Sequence, residues 1–151
     1  MENLKIKGSH GVFFIPTVVF DARTGVCEIS GESYLEDAAE FYNPLIDWID
    51  KYITLVNKSL TFNFKLTYFN TSSSRRILDM LGHLKDYQDN GGKVTVNWYY
   101  EEDDADMEEE VEDFIIESEI DINLLPYPDD DEDDDDEDRD VDAEEDDEDD
   151  D

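Results

Sequence analysis

Residues 59–69, SLTFNFKLTYF, alternate along their length: Leu60, Phe62, Phe64, Leu66 and Tyr68 project to one side, Thr61, Asn63, Lys65 and Thr67 to the other. A repeat of two is the mark of a strand with one face buried and the other in water. KVTVNWYY, 93–100, repeats the pattern with Val94, Val96, Trp98 and Tyr100. Upstream, TVVFDARTGVCEISG reads as two short strands around a glycine-containing turn at Asp21–Gly25, and EIDINLL alternates through Ile120, Ile122 and Leu124.

Between these stretches the spacing changes to three and four. Ala38, Phe41, Tyr42, Leu45, Ile49, Tyr52, Ile53 and Val56 predict a helix with one buried face. Pro44 interrupts it. Because Asn43 is a good N-cap and proline suits the first helical position, a kink or a restart is expected there. Ile77, Met80, Leu81, Leu84 and Tyr87 predict a second helix, closed by the NGG of 90–92. Met107, Val111, Phe114 and Ile115 predict a third.

The resulting order is β-β-α-β-α-β-α-β, an α/β protein with a mixed sheet of about five strands. Parallel crossovers of this kind are right-handed. A sheet covered on both faces would show continuous apolar runs, so the alternation places all the helices on one face.

Charge divides the chain. Of the formal net charge of −34, residues 129–151 carry −19, with 20 acidic residues against one arginine. A run such as DDDEDDDDED repels itself and has nothing to bury, so a disordered acidic tail is expected over 129–151 and a folded domain over 1–128. So negative a surface argues against nucleic acid, whose binding depends on neutralising phosphates, and against an anionic membrane. There is no apolar run near the roughly 20 residues that span a bilayer, and MENLKIKGSH lacks the core of a secretory signal. With Cys27 as the single cysteine, a disulfide framework is excluded and a cytoplasmic setting is expected.

Enzyme chemistry is hard to assemble. His10 and His83 lack a metal-ligand spacing, Cys27 lies within a strand pattern as a buried structural thiol would, and no phosphate-binding glycine loop or nucleophile elbow occurs. No catalytic group, metal or cofactor is expected.

One stretch asks for more than packing. In YFNTSSSRRILDML, residues 68–81, four hydroxyl residues from Thr71 to Ser74 separate strand from helix, and Arg75 and Arg76 follow. A helix start needs one capping side chain, worth about 1 kcal/mol. Serine in a first turn is otherwise a mediocre helix former. The bland reading is a cap with solvated neighbours, with Arg76 paired to Asp79 three residues on. The functional reading is a phosphorylation site: a phosphate adds about −1.5 to −2 charge and would meet the positive end of the helix dipole and the arginines.

SGESYLEDAAEFYNPLIDWI, LTYFNTSSSRRILDML and NGGKVTVNWYYEEDD resemble, in order and spacing, the SiaC family of bacterial regulatory phosphoproteins. The resemblance covers most of residues 1–125 and implies a STAS-like fold, like that of anti-sigma factor antagonists. It implies that Thr71, the threonine of the N-T-S-S motif, is the phosphoacceptor, with Ser72 the second choice. It further implies a protein kinase that modifies the threonine, a PPM-type phosphatase that restores it, and an effector bound and activated by the unmodified form. In the best-known systems that effector is a diguanylate cyclase in cyclic di-GMP signalling.

The expectation is therefore a non-catalytic switch. Asn70, Ser72, Ser73, Arg75 and Arg76 are the candidate partner contacts around Thr71. The rival is a non-switching acidic adaptor that holds a basic protein through its tail.

Overall fold

Eight strands and three helices account for the regular structure of residues 1–127, the residues that the computed structural model describes. The acidic stretch expected to be disordered, 129–151, and the expected tail-borne binding lie outside them. In chain order the elements are β1 (Leu4–Ile6), β2 (Ser9–His10), β3 (Phe14–Ile15), β4 (Thr17–Phe20), β5 (Val26–Ser33), α1 (Ala38–Leu55), β6 (Leu60–Phe69), α2 (Thr71–Asp89), β7 (Val94–Glu101), α3 (Ala105–Ser118) and β8 (Asn123–Tyr127). Met1–Tyr100 and Asp106–Leu125 form one compact unit; Glu101–Ala105 and Pro126–Tyr127 fall in another, where the Glu102 N–H donates to the Tyr127 carbonyl at 2.9 Å.

The main sheet is mixed, with order β1-β4-β5-β6-β7-β8; β1, β4 and β5 pair antiparallel, while β5–β6 and β6–β7 are parallel. It has one more strand than expected, and β2 with β3 forms a separate ribbon. β1 to β3 are two or three residues long, too short for alternation to register in the sequence.

Burial follows the predicted face. Leu60, Phe62, Phe64 and Leu66 of β6 are buried, as are Val96, Trp98 and Tyr100 of β7, and they join one core with α1, α2 and α3. Thr61 and Asn63 are half-buried and Lys65 is exposed. Cys27 is buried in that core, where desolvation pushes its thiol well above the ordinary range.

Two local expectations are corrected. α1 runs unbroken through Pro44, and its cap is Asp37, whose carboxylate accepts from the Glu40 N–H at 3.3 Å, so Asn43 is no N-cap. A proline in a helix interior costs ~3 kcal/mol. Tyr42 before it, and Leu45, Ile49 and Tyr52 after it, are all essentially inaccessible. Each contributes about 1.5–3 kcal/mol on burial, so packing on both sides outweighs the break.

The second correction concerns Tyr68. The parallel register pairs Gly31 with Leu66 but Glu32 with Tyr68, leaving Thr67 as the extra residue of a β-bulge. Gly31, at φ 100°, takes the backbone conformation that other residues avoid, and its carbonyl accepts from the Thr67 hydroxyl at 3.3 Å. Beyond the bulge the parity of β6 is reversed. Tyr68 turns out to solvent and Phe69 turns into the core.

Candidate functional site: the β6–α2 corner

The bulge delivers the chain to Asn70 in the right pose to start a helix. Asn70 has extended backbone angles, and its side-chain oxygen accepts from the Ser73 N–H at 2.9 Å, the geometry of an N-cap. Its amide nitrogen donates to the Leu35 carbonyl at 2.9 Å, and its backbone N–H to the Ser33 carbonyl at 3.0 Å. One side chain therefore starts α2 and ties it to the segment after β5. Asn70→Ala loses the cap and the Leu35 bond together and is expected to destabilise the protein by about 2 kcal/mol in urea unfolding. Asn70→Ser keeps a cap acceptor without setting a second acceptor against the Leu35 carbonyl and should lose only about half as much.

Ser73 is wholly buried, and so is Ser33. The Ser33 hydroxyl donates to Ser73 Oγ at 2.8 Å, and the Ser73 hydroxyl donates to the Ser33 carbonyl at 3.1 Å. With its proton so engaged, Ser33 Oγ accepts from the Tyr42 phenol at 2.8 Å. Burial pushes that phenol up to about 12. This closed chain fixes β5, α1 and the first turn of α2 to one another, and a buried polar group so satisfied costs little. The Ser74 hydroxyl turns back onto the Thr71 carbonyl at 2.8 Å.

Two of the four hydroxyls thus serve the fold. Thr71 is exposed and Ser72 half-exposed, and among the described residues neither hydroxyl has a hydrogen-bond partner. Arg76 pairs with Asp79 at 3.0 Å, as its local spacing suggests. Arg75 makes no ion pair with a described residue. It lies one turn beyond Thr71, and with Thr71, Ser74 and Leu78 it lines a groove whose other wall is Asp113, Phe114 and Glu117 of α3. The corner brings Thr71 and Arg75 together and holds Ser73 inside.

Sequence reading missed three contributors: Ser33 and Tyr42, the acids of α3, and an aromatic strip. The rings of Phe13 and Phe14 lie 6.2 and 6.1 Å from Tyr34, which lies 6.3 Å from Tyr68. Phe13, Tyr34 and Tyr68 are exposed, and Tyr68 is three residues from Thr71. The run Thr67-Tyr68-Phe69, where alternation ends, was the one signal of the bulge. Nothing local marks Ser33, whose partner is 40 residues away.

Fold and corner define a mixed α/β protein that presents a helix-start threonine to solvent. The chain belongs to the SiaC family: the family described as SiaC family regulatory phosphoprotein matches residues 6–127. An uncharacterized protein of Pseudomonas aeruginosa (strain UCBPP-PA14) is 28% identical over 114 residues, covering 76% of this chain and 88% of its own. Apo-SiaC from Pseudomonas aeruginosa superposes with a TM-score of 0.74 at 26% identity, covering 83% of this chain and 99% of that one. The structure of diguanylate cyclase SiaD in complex with its activator SiaC, from the same organism, gives 0.76 at 25% identity, covering 82% and 99%. Among the described residues no helix is long and apolar enough to cross a membrane.

Proposed function

We propose that this chain is a signalling switch, reversibly phosphorylated on Thr71, whose unmodified form binds and activates a diguanylate cyclase. The observation that carries the partner is the similar SiaC of Pseudomonas aeruginosa, the activator of the diguanylate cyclase SiaD, seen in complex with it. Support for the acceptor comes from the corner: of its hydroxyls, Thr71 is exposed, without a hydrogen-bond partner among the described residues, and set at a helix start, where the dipole favours an added anion. Ser72 is the second choice. A protein kinase and a PPM-type phosphatase would run the cycle, as the family resemblance implies.

In this reading the partner covers Thr71, Ser72 and Arg75 together with the aromatic strip of Phe13, Tyr34 and Tyr68. Such rings supply the anchor of a typical interface. Asn70 and Ser73 act from within, by holding the first turn of α2. Arg76, paired with Asp79, lies at the rim.

The test is phosphosite mapping on protein treated with its cognate kinase. One phosphate, on Thr71, is expected; Thr71→Val should abolish it. Phosphate found elsewhere, or retained in full by Thr71→Val, would remove Thr71 from the account.

A further inference from the structure

Resting on Thr71 as acceptor, we infer that its phosphate is read inside this chain by Arg75, Asp113 and Glu117, and that it unseats the C-terminal half of α3. The groove beside Thr71 holds about 290 Å³ of space, several times the ~30 Å³ share of one water molecule, so a phosphoryl group can enter it. Its walls differ in sign. Arg75, unpaired among the described residues, lies on the α2 side and attracts the group. Asp113 and Glu117, four residues apart on one face of α3, oppose it across the gap.

α3 has no means of absorbing that charge. Its last turn contains no basic residue, so the negative end of its dipole and the two carboxylates add together. Its seat on the sheet is made by Val111 and Phe114, both buried, with Ile115 packed beside them. Phe114 packs on Phe69 at 5.5 Å and on Trp98 at 5.8 Å, whereas Ile116 is left exposed. The residue after the helix is Glu119, a non-glycine residue at φ 63°, which gains backbone freedom when the end lets go. A dianion drawn toward Arg75 is thus pressed against the half of α3 that carries Asp113 and Glu117, and local opening of that half relieves the repulsion. Unmodified Thr71 exerts no such force.

Hydrogen exchange on the full chain, with phosphothreonine installed at 71 during translation, tests this without a kinase. Amides 111–118 should exchange about tenfold faster than in the unmodified chain, while those of β6 and the middle of α2 keep their rates. Asp113→Asn with Glu117→Gln should reduce the difference to less than about twofold, and high salt should shrink it too. Unchanged exchange in α3, acceleration that survives the double substitution, or a uniform acceleration of the whole chain would each overturn the inference. Loss of cyclase binding on phosphorylation with α3 unmoved would sink this inference and leave the switch standing. Loosening of α3 with binding intact would do the reverse.

Discussion

Thr71→Glu is expected to bind the cyclase about 30- to 100-fold more weakly than Thr71→Ala, as measured by titration calorimetry of the full chain. A swing from mostly bound to mostly free, 99:1 to 1:99, takes about 5.5 kcal/mol. A dianion that the single charge of Arg75 neutralises only in part can reach that when a partner buries it; glutamate, with one charge, should deliver about half, near 2–3 kcal/mol. Alanine removes only a hydroxyl that has no hydrogen-bond partner among the described residues, so most of the affinity should remain. The fold supplies a control. Glutamate in the first turn of α2 faces the positive end of the helix, so unfolding stability should hold or rise while binding falls. Lower binding accompanied by lower stability would point to damage.

The second large effect concerns the core under the corner. Trp98 stacks on Phe64 with centroids 4.7 Å apart and meets Phe69 and Phe114, so one side chain joins β6, β7 and α3. Trp98→Ala should cost about 3–5 kcal/mol in urea unfolding, the range for truncating a buried large aromatic residue. Trp98→Phe should cost much less than its lost volume suggests, below about 1.5 kcal/mol. The reason is that the Trp98 indole N–H is buried without a hydrogen-bond partner among the described residues, and phenylalanine removes that unsatisfied donor. If alanine at 98 cost under about 1 kcal/mol, the aromatic group would not be the seat of α3 described above.

The frame of the molecule was legible because its signals are local. Alternation in β6 and β7 gave the buried face, and three-and-four spacing gave the three helices. Arg76 and Asp79 could be paired from a separation of three residues. What escaped depends on contacts between distant segments. Pro44 suggested a kink or a restart, yet the core packs against Tyr42 and Leu45 on either side and α1 continues. Alternation alone puts Tyr68 on the inner face because it carries no sign of a bulge at Thr67; the glycine that permits it stands on the neighbouring strand.

The corner shows the same division. The sequence announced an excess of hydroxyls before α2 without saying which served the fold. Ser73 is committed by Ser33 and Tyr42, and Ser74 by the Thr71 carbonyl. The charge opposite Thr71 comes from α3, more than 40 residues on in the chain, so no local pattern could have assigned Asp113 and Glu117 to the groove.

The central claim is that one phosphate on Thr71 decides whether this chain engages its cyclase. The direct measurement is the affinity of the cognate diguanylate cyclase for two full-length proteins, one with threonine and one with phosphothreonine at 71, alongside cyclase turnover in each mixture. The account predicts tight binding and raised turnover with the first, and affinity lower by about ten-thousandfold with basal turnover for the second. Equal affinity and equal activation by the two would contradict it.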